Sequence, residues 1–160
     1  IDFGDMTRVV EGAGPMSNAT RGVFGGGKNA GGSEENIIEY ITIATLGNGT
    51  DFGDSLTSGR GKGVVASATR GVMAGGYSST NVIDYITIAT TSNALDFGDL
   101  VTTLYAMASG NINSTTRGCF AGGNGDSTVI QYITIATLGN SIDFGDLTVG
   151  RHSMAGCAGD

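Results

Sequence analysis

Tryptophan is absent from this 160-residue sequence, proline occurs once (Pro15), histidine once (His152) and cysteine twice. A single histidine leaves a Ser-His-Asp relay or a histidine-based metal centre without partners to draw on, so His152 reads as a surface or strand-edge residue. Two cysteines, Cys119 and Cys157, decide little about redox compartment. Cys119 stands where sibling stretches carry Val23 and Val72, and reads as a small buried apolar residue. Positive charge is scarce: eight Lys and Arg against 15 Asp and Glu give a net charge of −7 and a pI near 4.4. A nucleic-acid backbone or an anionic bilayer repels such a chain, and no basic patch offsets this, so neither is expected as a partner. No apolar run approaches the roughly 18 residues of a membrane helix, so no membrane insertion is expected, and no charged stretch leading into an apolar core opens the sequence.

Glycine, by contrast, is abundant at 29 residues, and with Thr, Ile and Val it makes a composition of short strands and tight turns. An all-β protein is expected. Whole phrases recur. TRGVFGGG at residues 20–27 returns as TRGVMAGG at 69–76 and TRGCFAGG at 116–123. EYITIAT, DYITIAT and QYITIAT place Tyr40, Tyr85 and Tyr132, and DFGD occurs at residues 2–5, 51–54, 96–99 and 143–146. Successive DFGD copies are 49, 45 and 47 residues apart, so the phrases keep step and mark an internal repeat of about 47 residues.

One period reads as four strands: A through GKGVVAS, B in TRGVMAGG, C in NVIDYITIAT and D in LDFGDL. Alternation along strand C sets Val82, Asp84, Ile86 and Ile88 on one face and Ile83, Tyr85, Thr87 and Ala89 on the other. Both faces are largely apolar, as in a sheet packed on both sides by other sheets. The link from strand C to DFGD is constant at six residues, with a Gly/Asn/Ser turn, and is expected to be structural. The B–C link measures 13 residues to the tyrosine in the first repeat and nine in the others, and the D–A link also varies. In an up-and-down sheet these two links leave by the same edge, and variable loops on a rigid frame are where binding resides.

These features resemble the kelch repeat, one blade of a β-propeller. Gly26-Gly27, Gly75-Gly76 and Gly122-Gly123 stand as the diglycine, and Tyr40, Tyr85 and Tyr132 as the third-strand aromatic. The fourth strand departs from the pattern, with Phe3, Phe52, Phe97 and Phe144 where a kelch blade has Trp, so the match is kelch-like. The YITIAT and DFGDLT phrases are also similar to repeats in structural or tail-associated proteins of tailed marine bacteriophages. The resemblance implies three complete blades of four antiparallel strands with partial blades at both ends. Residues 1–7 are then the last strand of a preceding blade, 8–56, 57–101 and 102–149 the blades, and 150–160 the first strand of a following one. Propellers close with about four or more blades, so the residues read as a segment of a longer chain, with several copies completing one ring as the alternative.

The glycine-rich TRG phrase is not expected to cradle phosphate, because no helical pattern follows it to hold the anion. DFGD lacks the companion motifs of a kinase, and two carboxylates three apart on an extended strand point to opposite sides, too few on either for calcium, which takes about six oxygens. The Asp pairs are expected to cap turn amides and meet the repeat arginines, while Phe fills the core. Six of the eight cations are read as recurring in register, Arg8, Arg60 and Arg151 opening strand A and Arg21, Arg70 and Arg117 in strand B. No catalytic residue, metal or cofactor is expected. The function expected is a non-enzymatic structural or binding propeller segment of a virion or extracellular protein, with variable loops on one face. Its partners would be subunits of the same particle, the rest of a longer chain, a second copy in a homo-oligomer, or a surface glycan. The loop residues chosen are Lys28, Asn29, Ser33, Glu34 and Glu35 in the first repeat, Tyr77 and Ser78 in the second, and Asn124 and Asp126 in the third. The alternative is a glycan-acting hydrolase with its site on the propeller axis. That reading draws on the repeated arginines but lacks a carboxylate pair set apart from the others.

Overall fold

The computed structural model describes residues 1–103, 112–123 and 125–156, which leaves Asn124 and Cys157 outside the described residues. Within these there is no helix. A two-stranded sheet joins β1 (Val10–Glu11) to β4 (Lys28–Asn29), and three four-stranded antiparallel sheets follow one another along the chain. The first runs in the order β2 (Gly14–Ser17), β3 (Arg21–Gly25), β5 (Ile37–Thr42), β6 (Thr50–Asp54). The second is β7 (Gly63–Ala66), β8 (Arg70–Ala74), β9 (Val82–Thr87), β10 (Leu95–Asp99), and the third β11 (Ile112–Asn113), β12 (Arg117–Ala121), β13 (Val129–Thr134), β14 (Ile142–Asp146).

The sheets stack face to face in chain order, and the alternation of strand residues decides which side chain enters which joint. Met16, Val23, Ile38 and Phe52 leave the forward face of the first sheet to meet Val64, Met73, Ile86 and Ile88 on the rear face of the second. The forward face of the second sheet then sends Val65, Val72, Ile83 and Phe97 against Phe120, Ile133 and Ile135 of the third. The second sheet is thus apolar and buried on both faces, as the two-sided pattern of NVIDYITIAT requires. The glycine of TRG makes room for this approach. A Cβ on Gly118 would lie 2.5 Å from Val65 Cγ2, and one on Gly71 would lie 2.3 Å from Met16 Sδ.

Two features refine the sequence reading of strands D and B. Pairing shifts by one residue inside each of the three DFGD copies that form a strand, so that in the second sheet Asp96 opposes Asp84, Gly98 opposes Ile83, and Phe97 is the extra residue of a β-bulge. The same shift occurs between β5 and β6 and between β13 and β14. In the second sheet Asp96 and Asp99 therefore face Asp84 and Val82, which share one face of the sheet. The expectation that the two carboxylates point apart is overturned, because the bulge absorbs one residue of the alternation. The bulged Phe packs edge-on to its tyrosine in each sheet, with Tyr40–Phe52, Tyr85–Phe97 and Tyr132–Phe144 centroids 5.9, 6.1 and 5.9 Å apart. The second feature is φ: the diglycines hold 68° and 113°, 64° and 127°, and 68° and 126°, left-handed values that favour glycine at the end of strand B.

Candidate functional site

Neighbouring sheets are held by a joint that recurs along the chain. The turn after strand C presents an asparagine whose side-chain oxygen accepts the last amide of the preceding DFGD: Asp5 N to Asn48 Oδ1 at 3.0 Å, Asp54 N to Asn93 Oδ1 at 3.1 Å, Asp99 N to Asn140 Oδ1 at 3.0 Å. The turn backbone returns the contact. Gly47 N donates to Phe3 O at 2.9 Å and Gly139 N to Phe97 O at 2.8 Å, while Gly49, Ala94 and Ser141 amides donate to the carbonyls of Asp5, Asp54 and Asp99 at 2.7, 2.8 and 2.8 Å. DFGD is a clasp for the next repeat, and its carboxylates have a smaller part, Asp2 and Asp143 accepting from the Gly4 and Gly145 amides.

The strand-B arginines complete the joint. Arg21, Arg70 and Arg117 lie over their own Tyr40, Tyr85 and Tyr132 at 4.4, 4.5 and 4.4 Å. Arg21 and Arg70 also donate to the next sheet, to Ile88 O at 2.8 Å and Ile135 O at 2.7 Å. These arginines therefore meet backbone carbonyls of the next repeat and not the DFGD carboxylates expected as their partners. Nor do Arg8 and Arg60 share a register. Arg60 lies three residues ahead of Gly63 and Arg8 six ahead of Gly14, although these glycines hold the same place in their sheets.

A third element was hidden in the sequence as the varying letter before each tyrosine. Glu39, Asp84 and Gln131 are all buried on rear faces. Asp84 Oδ2 accepts the Leu56 amide at 2.7 Å and Gln131 Oε1 the Val101 amide at 2.9 Å, both from the link that follows the preceding DFGD. Each is balanced differently. Gln131 takes a hydroxyl from Ser141 at 2.7 Å. Asp84 faces the equally buried Lys62 at 3.9 Å, whose ammonium also donates to Ser55 and Thr57 hydroxyls. Burial raises the Asp84 pKa and lowers that of Lys62, with their mutual attraction opposing both shifts. Glu39 has Arg8 Nε 3.6 Å away, and the Thr7 amide stands near it without closing a hydrogen bond. Burial raises its pKa above 4.5, with Arg8 opposing.

A native carboxyl that titrates above its unfolded value binds more protons than the unfolded chain, so stability falls as pH rises from 4.5 through the raised value. Glu39→Gln, which installs the residue of the third repeat, is expected to remove that decline. At pH 7 it should leave stability unchanged or raise it by about 1 kcal/mol, since Arg8 keeps Glu35 as partner. Urea melts of both proteins between pH 4 and 8 check this, and a variant that is less stable at pH 7 would refute it.

The variable loops gather on one edge. Loop residues 28–35 fold against the D–A links: β4 pairs with β1, the Gly27 amide donates to Gly59 O at 3.0 Å, and Glu34 binds the side chain and amide of Arg60. Most of the chosen residues also make bonds within the chain. Glu35 pairs with Arg8 and accepts from Asn29 Nδ2 at 2.7 Å, and the Asn29 bond, with help from Arg8, lowers its pKa. Asn29 Oδ1 takes the Ser33 amide at 3.0 Å. Lys28 Nζ stands 3.2 Å from Glu11. In the second repeat Arg60 stacks on Tyr77 at 3.7 Å and Ser78 Oγ donates to Ser58 O, and in the third Asp126 meets His152 at 2.9 Å. Residues 9–11, 28–30 and 32 line a depression of about 200 Å³. Among the described residues no group of three or more His, Cys, Asp or Glu could hold a metal ion. Neither protein-family models nor curated proteins give a match to this chain.

Proposed function

We propose that the three sheets are kelch-like blades of a β-propeller in a virion or extracellular protein, and that the chain is a non-enzymatic module which binds through its loop edge. The observation that carries this is the division of labour within each repeat. At the two joints between sheets, strand residues, DFGD and the C–D turn are consumed, whereas variation collects on the B–C and D–A edge around the depression at Lys28. An edge of Lys, Asn, Ser, Tyr and carboxylates, held in place by its own ion pairs, offers preset hydrogen-bond donors and acceptors to a glycan or a polar protein surface. Glu34, Glu35 and Asn29 shape the loop, and Lys28, Tyr77 and Ser78 face the ligand.

A glycan array with the purified chain, accompanied by hydrolysis assays on every bound glycan, tests the reading. Lys28→Ala and Tyr77→Ala are expected to weaken binding about tenfold or more each, with the melting temperature unchanged, as loss of a charged hydrogen bond or an aromatic contact does. Binding that survives both substitutions, or turnover of a bound glycan, would overturn it.

A further inference from the structure

Each sheet presents the next with a fixed set of groups: an apolar forward face, an arginine lying over tyrosine, and the carbonyls and amide of DFGD. In the third sheet, among the described residues, the whole set is unmet. Phe144 is 55% exposed where its counterparts Phe52 and Phe97 are 2%. Cys119 and Ile130 are half-buried where Val72 and Ile83 are sealed. Arg117 stacks on Tyr132 but is exposed and reaches no carbonyl, unlike Arg21 and Arg70. A Cβ on Gly145 would meet nothing within 4 Å, whereas one on Gly53 or Gly98 would strike the next turn at 2.5 or 2.6 Å.

The rear face of the first sheet shows the complementary set. Ile43 is 45% exposed where Ile88 is 0%, and Phe24 and Ile41 are half-buried where Met73 and Ile86 are sealed. The Ile43 carbonyl holds the place from which Ile88 O and Ile135 O accept an arginine. Glu39 on this face is already met by Arg8, and the turn at residues 47–49 by residues 1–5. That segment reads IDFGD, letter for letter the sequence of residues 142–146. A second β14 can therefore take over its hydrogen bonds one for one, and it brings with it a complete sheet.

We propose that the chain docks head to tail on a second copy of itself, the forward face of its third sheet on the rear face of the partner copy's first, with β14 displacing residues 1–5 there. The contact continues the joint that the molecule already builds twice internally. It is heterologous, so further copies add in the same sense, into a ring where the rotation closes and an open array where it does not. It uses the ends of the stack and not the loop edge, so Lys28→Ala and Tyr77→Ala leave it intact and the two proposals fail separately.

Sedimentation velocity of the 160-residue chain over a wide concentration range tests it. Dimers and larger species are expected to grow with concentration. Phe144→Asp disables one end and Ile43→Asp the other, so each variant alone stays monomeric, while an equimolar mixture forms heterodimers and nothing larger. Phe3→Ala, which loosens the resident segment without touching either docking face, is expected to strengthen association about tenfold. Thermal melts of the variants confirm that they are folded. A wild-type chain that stays monomeric throughout, a mixture that stays monomeric, or a dimer that persists in one variant but is lost in the other would each overturn head-to-tail docking.

Discussion

Gly98→Ala is expected to destabilise the protein by about 3 kcal/mol or more, the sum of backbone strain and overpacking. The residue holds φ of 144°, and a Cβ there would lie 2.6 Å from the carbonyl carbon and oxygen of Gly139. These are backbone atoms of a turn already tied to Phe97 and Asp99, the latter also through Asn140, so they cannot swing aside as a methionine could. Gly145→Ala is the control. It carries the same kind of φ, 135°, but faces open space, so it should lose only the strain component, about 1–3 kcal/mol. Equilibrium urea unfolding of the two variants separates the terms. Equal losses would mean that the clasp on the next turn contributes nothing.

Lys62→Met should cost about 3–5 kcal/mol at pH 7, because it leaves Asp84 buried without its cation. The loss should depend on pH in a defined direction. Asp84 already titrates above 3.8 in the folded state, and without Lys62 it rises further. The native state then binds more protons than the unfolded chain above pH 3.8, and stability falls as pH rises through that window. At acid pH, with Asp84 neutral, the variant approaches the parent. Lys62→Met combined with Asp84→Gln should recover much of the loss, since Gln131 fills the equivalent place in the third sheet without any charge. A single variant whose deficit stays flat between pH 4 and 8 would show that Lys62 acts by packing alone.

The repeat, its four strands and their burial on both faces were legible because period and alternation follow directly from the letters. Strand C of the second repeat declares two apolar faces, and both are used. The bulge was not legible, since DFGD reads as an ordinary strand until its partner is known, and only pairing shows that Phe97 is the extra residue. The buried position ahead of the tyrosine was concealed by its own variety. Glu, Asp and Gln look like tolerated surface change, yet the second and third accept an amide from the preceding link. On the loop edge the residue types pointed to hydrogen bonding, and the geometry assigns many of those bonds to the chain itself, Glu34 and Glu35 to Arg60 and Arg8 among them. Long-range ion pairs of this kind leave no spacing signal.

A chain assembled from near-copies runs the danger of folding with its parts exchanged. The stretch YITIAT is identical in all three repeats, so nothing in its backbone or apolar side chains tells one central strand from another. The residue just before it does. If β13 entered the second sheet in place of β9, Lys62 would be sealed against the amide of Gln131, and a cation shut away from any anion is penalised by several kcal/mol. Glutamate with arginine, aspartate with lysine and glutamine with serine thus mark otherwise interchangeable strands, and each exchange that separates a buried charge from its partner is penalised.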